Sequence, residues 1–336
     1  MVISKSSGLN DSIYGKSFAP IKQYLTGREE LQTKASQLEN LFYMDNTTNF
    51  AEKYTGETSL GDFEPGDEGG NYPEHDFQET YDKVIYPFEW KNSFSITQTM
   101  IEDAKMGKVK QKANAFMSSY ARTKEKFGAD MFTNGVATSM SFSGKTFDIA
   151  TADAKALFAT DHPSKTGEYA GQSNVYDTEW SYDAMSKLEA LAANFRNDNG
   201  ERLNINLDTI VVPYTTLADA AQRQELFEAL NADGNPNTAD RAGNYHAGRW
   251  NVISWPFLGT PAGMTAGKSW FFMIDKDYLQ DYAAMVWLNR LDLNVKSYVN
   301  ENNDNNIWKG RGRFGGSPVD WRFVIAGIPG VGSTLS

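Results

Sequence analysis

Cysteine is absent from the 336 residues. Disulfides and thiolate metal sites are therefore excluded, in keeping with folding in a reducing compartment. Histidine is scarce, with only His75, His162 and His246. Long apolar runs are missing as well. The longest obvious apolar patch is WFFMI at 270–274, far short of the ~20 residues of a membrane span. The first residues, MVISKSSGLNDSIYG, lack the apolar core of a signal peptide. A soluble, unexported chain without a membrane partner is expected. Positive charge is also in deficit, since the net charge is −11. Such a chain does not coat DNA over its whole surface, because phosphate contacts come from Lys and Arg. Local basic stretches remain.

The composition that is present is that of a folded protein. Apolar residues at 40% and charged residues at 22% argue against a wholly disordered chain. The length allows about two domains, or one large one with extensions. No internal repeat is apparent.

Residues 1–50 read as a polar arm with helical hints at 21–25 and 31–42. Residues 52–83 hold ten acidic residues against Lys53 and Lys83, with five glycines in GETSLGDFEPGDEGG. Such a stretch cannot bury a core of its own. It is a loose loop, or an arm that becomes ordered against something else. Val84, Tyr86, Phe88 and Trp90 then alternate with more polar neighbours at a period of two, and Pro87 suggests an edge strand. At 99–102, Thr99 and Glu102 have capping-box spacing. A long helix over 104–134 should follow, with Val109, Ala113, Phe116, Tyr120, Phe127 and Met131 on one face. A short helix is expected at 152–158, another at 184–195, a buried strand at 207–213, and a helix capped by Thr215 or Thr216. The last third reads as strands at 250–255, 270–275, 285–298 and 320–326. The order lacks regular β-α alternation, and the fold class is α+β.

KGRGRFGG at 309–316 contains a G-x-G-x-x-G. A dinucleotide fingerprint needs a strand before the glycines and a helix after them. Here SPVDWRFVIAG follows, which reads as a strand, so the segment reads instead as a flexible, basic connection between two strands. Asp161, His162 and Ser164 are triad letters too close together to face one another, since triads are built across the fold. The oxygen-rich stretch from Asn231 to Asn237 lacks the glycine position and closing glutamate of a calcium loop, and reads as an Asx-rich turn. The Asn-rich stretch 300–306 reads as a hairpin tip. No carboxylate pair is singled out for glycosidase chemistry, and Trp250, Trp255, Trp270 and Trp287 read as core. No catalytic residue, cofactor or metal site is expected.

Taken in order, the arm, acidic β-loop, capped long helix, central α/β part and closing strands resemble the major capsid proteins of tailed bacteriophages, which have the Hong Kong 97 type of fold. SFSITQTMIEDAKMG leading into ANAFMSSYARTKEKFGADMFTNG is similar to the entry and body of the capsid spine helix. ALFATDHPS, LDTIVVPYTTLADAAQ, GRWNVISWPFL and WFFMIDKD resemble later stretches of the Mu-like major head subunit group. The resemblance covers roughly residues 50–326. It implies an N-terminal arm at 1–50, an extended β-loop at 51–98 lying over a neighbouring subunit, and a spine helix with part of the peripheral domain at 99–180. An axial domain at 181–295 and the C-terminal peripheral strands and tail at 296–336 complete the division. It implies self-assembly into pentamers and hexamers of an icosahedral shell around double-stranded DNA. A separate scaffolding protein, a portal and decoration proteins are the implied partners, and the host cytoplasm is the place of assembly. Many relatives begin with a scaffolding segment of about a hundred residues, which the short arm here does not match.

On this reading Phe63, Glu64, Asp67, Glu68, Tyr72, Asp76 and Phe77 of the acidic loop contact an adjacent subunit. They meet either Lys309, Arg311 and Arg313 or the Lys-rich helix start at Lys105, Lys108, Lys110 and Lys112. Surface ion pairs of ~0–1 kcal/mol each would set register, and the aromatic residues would supply strength. An encapsulin-like compartment is the nearest rival, told apart by its protein cargo. A soluble carbohydrate hydrolase is the other, and would remain a small oligomer.

Overall fold

A computed structural model describes residues 36–57, 79–103, 106–167, 169–237, 243–301 and 303–335. The helical hint at 21–25 and the contact residues Phe63, Glu64, Asp67, Glu68, Tyr72, Asp76, Phe77 and Lys105 lie outside the described residues.

In chain order, α1 (Leu38–Leu41) leads to β1 (Tyr43–Asn46), β2 (Glu52–Glu57), β3 (Glu79–Ile85) and β4 (Phe88–Ile96). Next come α2 (Gln98–Glu102), α3 (Met106–Thr133), β5 (Ser139–Phe142), β6 (Lys145–Asp148) and β7 (Val175–Asp177). The centre holds α4 (Tyr182–Ala192), β8 (Thr209–Pro213), α5 (Leu217–Asn231), β9 (Asn251–Trp255), β10 (Phe271–Ile274) and α6 (Lys276–Asp281). The chain closes with β11 (Met285–Asn300), β12 (Asn305–Pro318), β13 (Val324–Gly327) and β14 (Ser333–Thr334). No helix among the described residues is long and apolar enough to cross a membrane.

Two sheets organise these elements. One has the order β1-β11-β12-β4 and the other β14-β7-β13-β10-β8-β9. The second is the more deeply buried, since every residue of β8, β10 and β13 is buried. That is why Ile210, Val211 and Val212 follow one another as consecutive apolar residues and do not alternate with polar ones. Its flanking helix α5 starts at a capping box. The Thr216 side chain accepts from the Asp219 N–H, and Asp219 accepts in return from the Thr215 and Thr216 N–H groups at 2.9 and 2.8 Å. The other Asp219 oxygen accepts from Ser269 at 2.7 Å. Burial alone would raise the Asp219 carboxyl, but these hydrogen bonds outweigh it and hold the group below its ordinary range. A depressed carboxylate contributes fully above its unfolded pKa of about 3.9, and the contribution is lost as pH falls through the lower folded value. Asp219→Ala should therefore lower stability by about 2–3 kcal/mol near pH 7 and by much less at pH 2–3, read as urea midpoints across pH.

Helix α3 packs on one face of the four-stranded sheet. Even-numbered residues of β12 face it. A Cβ at Gly310 would meet the Phe116 ring, and one at Gly312 would fall 2.5 Å from the Tyr120 hydroxyl. Phe314 stacks on Trp90 and Trp287 at 4.9 and 5.2 Å. Phe127 meets Trp90 edge-on at 5.3 Å. The segment 309–316 is thus not a flexible connection. It lies within a 14-residue strand paired on both sides. Its glycines let a helix carrying aromatic side chains approach the backbone, which is the use of glycine where two elements close up.

Other expectations shift for local reasons. The expected long helix over 104–134 is α3, continuous over Met106–Thr133, and the short helix α2 before it is capped by Thr97 and not Thr99, with the Met100 N–H donating to the Thr97 hydroxyl at 3.3 Å. Residues 152–158 form turns, not a helix, with Ala154 at φ 62. Of the hint at 31–42, residues 31–35 lie outside the described residues and the rest holds α1, after which β1 pairs in parallel with β11. The alternation around Pro87 holds with the opposite face inward: Ile85 is buried while Val84, Tyr86 and Phe88 are exposed. The chain breaks at Tyr86-Pro87, and β4 is an edge strand. The hairpin of β5 and β6 was not expected. Its signal is Ser143-Gly144 at φ 50 and 77, the left-handed pair of a two-residue turn. Asn300 to Asn305 do turn β11 into β12.

Candidate assembly surface

The face of the four-stranded sheet turned away from α3 carries the odd-numbered residues of β12. Cross-strand pairing arranges them in rows. Lys309 sits between Ser93 and Lys296, Arg311 between Lys91 and Asn294, and Arg313 between Glu89 and Leu291. These rows place five cations against one carboxylate. Glu89 pairs with Lys91 at 2.7 Å and also with Arg311. Hydrogen bonding from Lys91 first, and the Arg311 charge with it, holds the exposed Glu89 carboxyl below its ordinary range. The Lys309 ammonium lies 4.9 Å from the centre of the Tyr298 ring, a cation–π contact that keeps the head group at the surface.

The root of the ribbon that leads into the acidic loop sits on this same side. β2 and β3 form a two-stranded ribbon whose root covers the outer face of the sheet at Val286 and Leu288, where Ile85, Tyr54 and Val319 pack against them. A Cβ at Gly315, which points outward, would collide with the Tyr86 carbonyl of the crossing chain. Lys83 anchors the ribbon to Asp148 at 2.6 Å. Tyr54 donates to Asp45 at 2.5 Å, and burial together with that neighbouring carboxylate pushes its phenol far above the ordinary range.

The structure separates the two basic surfaces that sequence reading offered for the acidic loop. Lys309 and Arg311 are exposed on the outer face, whereas Lys108 and Lys110 are exposed on α3, across the sheet. Lys112 turns to the Ser95 carbonyl at 2.7 Å. Arg313 is half-buried, and its guanidinium leans on the Pro87 carbonyl at 3.5 Å. Sequence reading missed Lys91 and Lys296, because only strand register brings them beside Arg311 and Lys309.

The catalytic letters do not assemble. His162 is fully buried, pairs with Asp153 at 2.7 Å and stacks on Trp321 at 4.3 Å. Ser164 donates instead to the Asp198 carbonyl. Asp161 pairs with Lys155. Trp255, Trp270 and Trp287 are buried in the core. Among the described residues no cluster of His, Asp and Glu could hold a metal ion, and the Asn237 N–H closes an Asx turn on Asn235.

Residues 81–327 match the family of phage capsid proteins, and the chain belongs to that family. Among solved structures it is similar to the capsid of cyanophage P-SCSP1u, at 9% identity and a TM-score of 0.50, over 89% of this chain and 88% of that one. It is also similar to the capsid of an empty GTA particle (12% identity, TM-score 0.49, 88% of this chain and 90% of that chain). A chain of Mycobacterium phage Bobi is a third (11% identity, TM-score 0.45, 89% and 90%). No curated protein sequence matches. The fold is the α+β Hong Kong 97-like capsid fold. The chain functions as a phage capsid protein.

Proposed function

We propose that copies of this chain form pentamers and hexamers of a shell around double-stranded DNA, and that the acidic segment 58–78 of one copy rests on the basic outer sheet face of the next. The observation that carries the reading is a match of charge and side. The segment has six acidic residues and no Lys or Arg. It leaves a ribbon rooted on the very face where Lys91, Lys296, Lys309 and Arg311 are presented. Phe63, Tyr72 and Phe77 would anchor it, with Glu64, Asp67, Glu68 and Asp76 setting register. Single contacts of this strength let misplaced copies leave, while many of them hold a closed particle. No catalytic role is assigned. The division into arm, β-loop, peripheral and axial parts, the kinship with the Mu-like head subunits, assembly in the host cytoplasm, and the scaffolding, portal and decoration partners belong to the same proposal.

The test is Lys309→Glu with Arg311→Glu. Both side chains are exposed, so the subunit should fold with an unchanged circular dichroism spectrum. Size-exclusion chromatography and negative-stain microscopy should then show subunits or capsomers where the parent forms shells. Shells of normal yield from the double variant would overturn the docking of the acidic segment. Arg313 is left out of the test because its half-buried guanidinium serves its own fold.

A further inference from the structure

Helix α3 is a basic element of an acidic protein. It holds six Lys and Arg against Glu125 and Asp130, in a chain of net charge −11. Its apolar face is spent on the sheet through Val109, Ala113, Phe116 and Phe127. The exposed stripe on its far side and flank runs Lys108, Gln111, Ala115, Ser118, Arg122, Lys126. These positions recur every three or four residues and so lie along one side of the helix. From Lys108 to Lys126 the stripe is about 27 Å long at ~1.5 Å per residue.

Of the helix's two acids, Glu125 is already engaged. Glu125 accepts from the Trp255 indole at 2.8 Å and from the Gln37 N–H at 3.1 Å, and also from Ser36. Burial raises the half-buried Asp130 carboxyl, against the Lys126 charge. Among the described residues no carboxylate pairs with Lys108, Arg122 or Lys126 at ion-pair distance. Between the cations stand short side chains, Ala115 and Ser118, over which a rod of charge can come close.

The acidic segment is a poor match for this stripe, because its ribbon is rooted on the opposite face of the sheet. Residues 1–35 do not match it either, with five basic against three acidic residues. We propose that the stripe Lys108–Arg122–Lys126 is the surface that meets the phosphate backbone of duplex DNA, without reading sequence. This rests on the shell reading above and adds a direction to it: the sheet face binds protein and the α3 side faces the genome. A duplex carries one charge per ~1.7 Å of axis, so three cations spread along the helix can each find a phosphate. Lysine and arginine separated by small residues, with nothing shaped to enter a groove, give positioning contacts and no base readout.

The test uses full-length, unassembled subunits and a mixed-sequence 30-base-pair duplex, with affinity followed against salt concentration. For the triple variant Lys108→Gln, Arg122→Gln, Lys126→Gln, the slope of log affinity against log salt should be shallower by about 2 to 3, and affinity in low salt should drop roughly tenfold or more. Lys108→Arg with Lys126→Arg should bind as the parent does. Lys309→Glu with Arg311→Glu should keep the parent's slope. An unchanged slope in the triple variant overturns the proposal. So does loss of shells without loss of DNA binding, which would make the stripe a subunit contact. Displacement of the duplex from the stripe by a peptide of residues 58–78 would reassign it to the acidic loop. Should the parent protein fail to form shells at all, the shell reading falls, while the slope comparison still decides whether these three side chains bind DNA.

Discussion

Gly315→Ala should abolish soluble folded protein, while Gly310→Ala should be tolerated with a moderate loss. Both positions lie in β12 and both lack room for a methyl group, but the obstacles differ. At Gly310 the new Cβ meets the tip of the Phe116 ring and a Leu293 methyl at 3.0 Å, and side-chain ends can turn aside for about 1–2 kcal/mol. At Gly315 it meets the Tyr86 carbonyl, with the Pro87 Cα at 3.3 Å. That obstacle is main chain, and Pro87 restricts it further by fixing its own φ and narrowing the choices of Tyr86. To yield, the ribbon of β2 and β3 would have to lift from Val286 and Leu288 and uncover them. The cost should exceed the ~3 kcal/mol upper range of ordinary overpacking. Soluble yield at 20 °C and thermal melts of the two variants are the measurement, and equal behaviour would show that the crossing chain is free to move.

Arg322→Met is the second large effect. Arg322 is 9% exposed. Its guanidinium reaches both Asp320 oxygens at 3.2 Å, Asp198 at 3.2 Å, the Tyr169 hydroxyl at 3.2 Å and the Arg196 carbonyl at 3.0 Å. Burial by itself would lower the guanidinium pKa, but Asp320, then Tyr278 and Asp198, push it up, so it stays charged. Removing the cation leaves two carboxylates facing each other across a partly dry site, a loss of about 3–5 kcal/mol. The fault should be pH-dependent, because carboxylates that have lost their partner are relieved by protonation. The deficit of Arg322→Met against the parent should therefore shrink between pH 7 and pH 4. A deficit constant across that range would mean that Asp198 and Asp320 find other partners.

The α+β class, the spine helix and the C-terminal strands were legible because their periodicity reports burial directly: Val109 through Met131 at helical spacing, and the consecutive apolar residues Ile210 to Val212 of β8. The glycines of β12 were misread because a sequence shows flexibility in Gly-x-Gly but not the aromatic ring that fills the vacated space. The approach of Phe116 and Tyr120 explains Gly310 and Gly312, and the crossing Tyr86-Pro87 chain explains Gly315. The Ser143-Gly144 hairpin carried a readable turn signal that its weakly alternating strands obscured. Of the candidate contact surface, Lys309 and Arg311 were legible as a local excess of charge. Their neighbours Lys91 and Lys296 are more than 200 residues apart in the chain, and such a pairing is a property of register, which no local pattern encodes.

The unequal lengths of β1 and β11 carry a further consequence. β1 pairs with β11 only from Val286 to Asn289. Among the described residues nothing pairs with the rest of that border, although β11 runs on to Asn300. A border of unsatisfied amides invites further strands to add, and a subunit that must accumulate before it can close into a particle is at risk of growing into fibres instead. The register shifts between Asn289 and Leu291 and between Leu291 and Asn294 fall where the covered part ends. Such irregularities coil the strand and spoil it as a template, so the hairpin can project from the body without seeding a fibril.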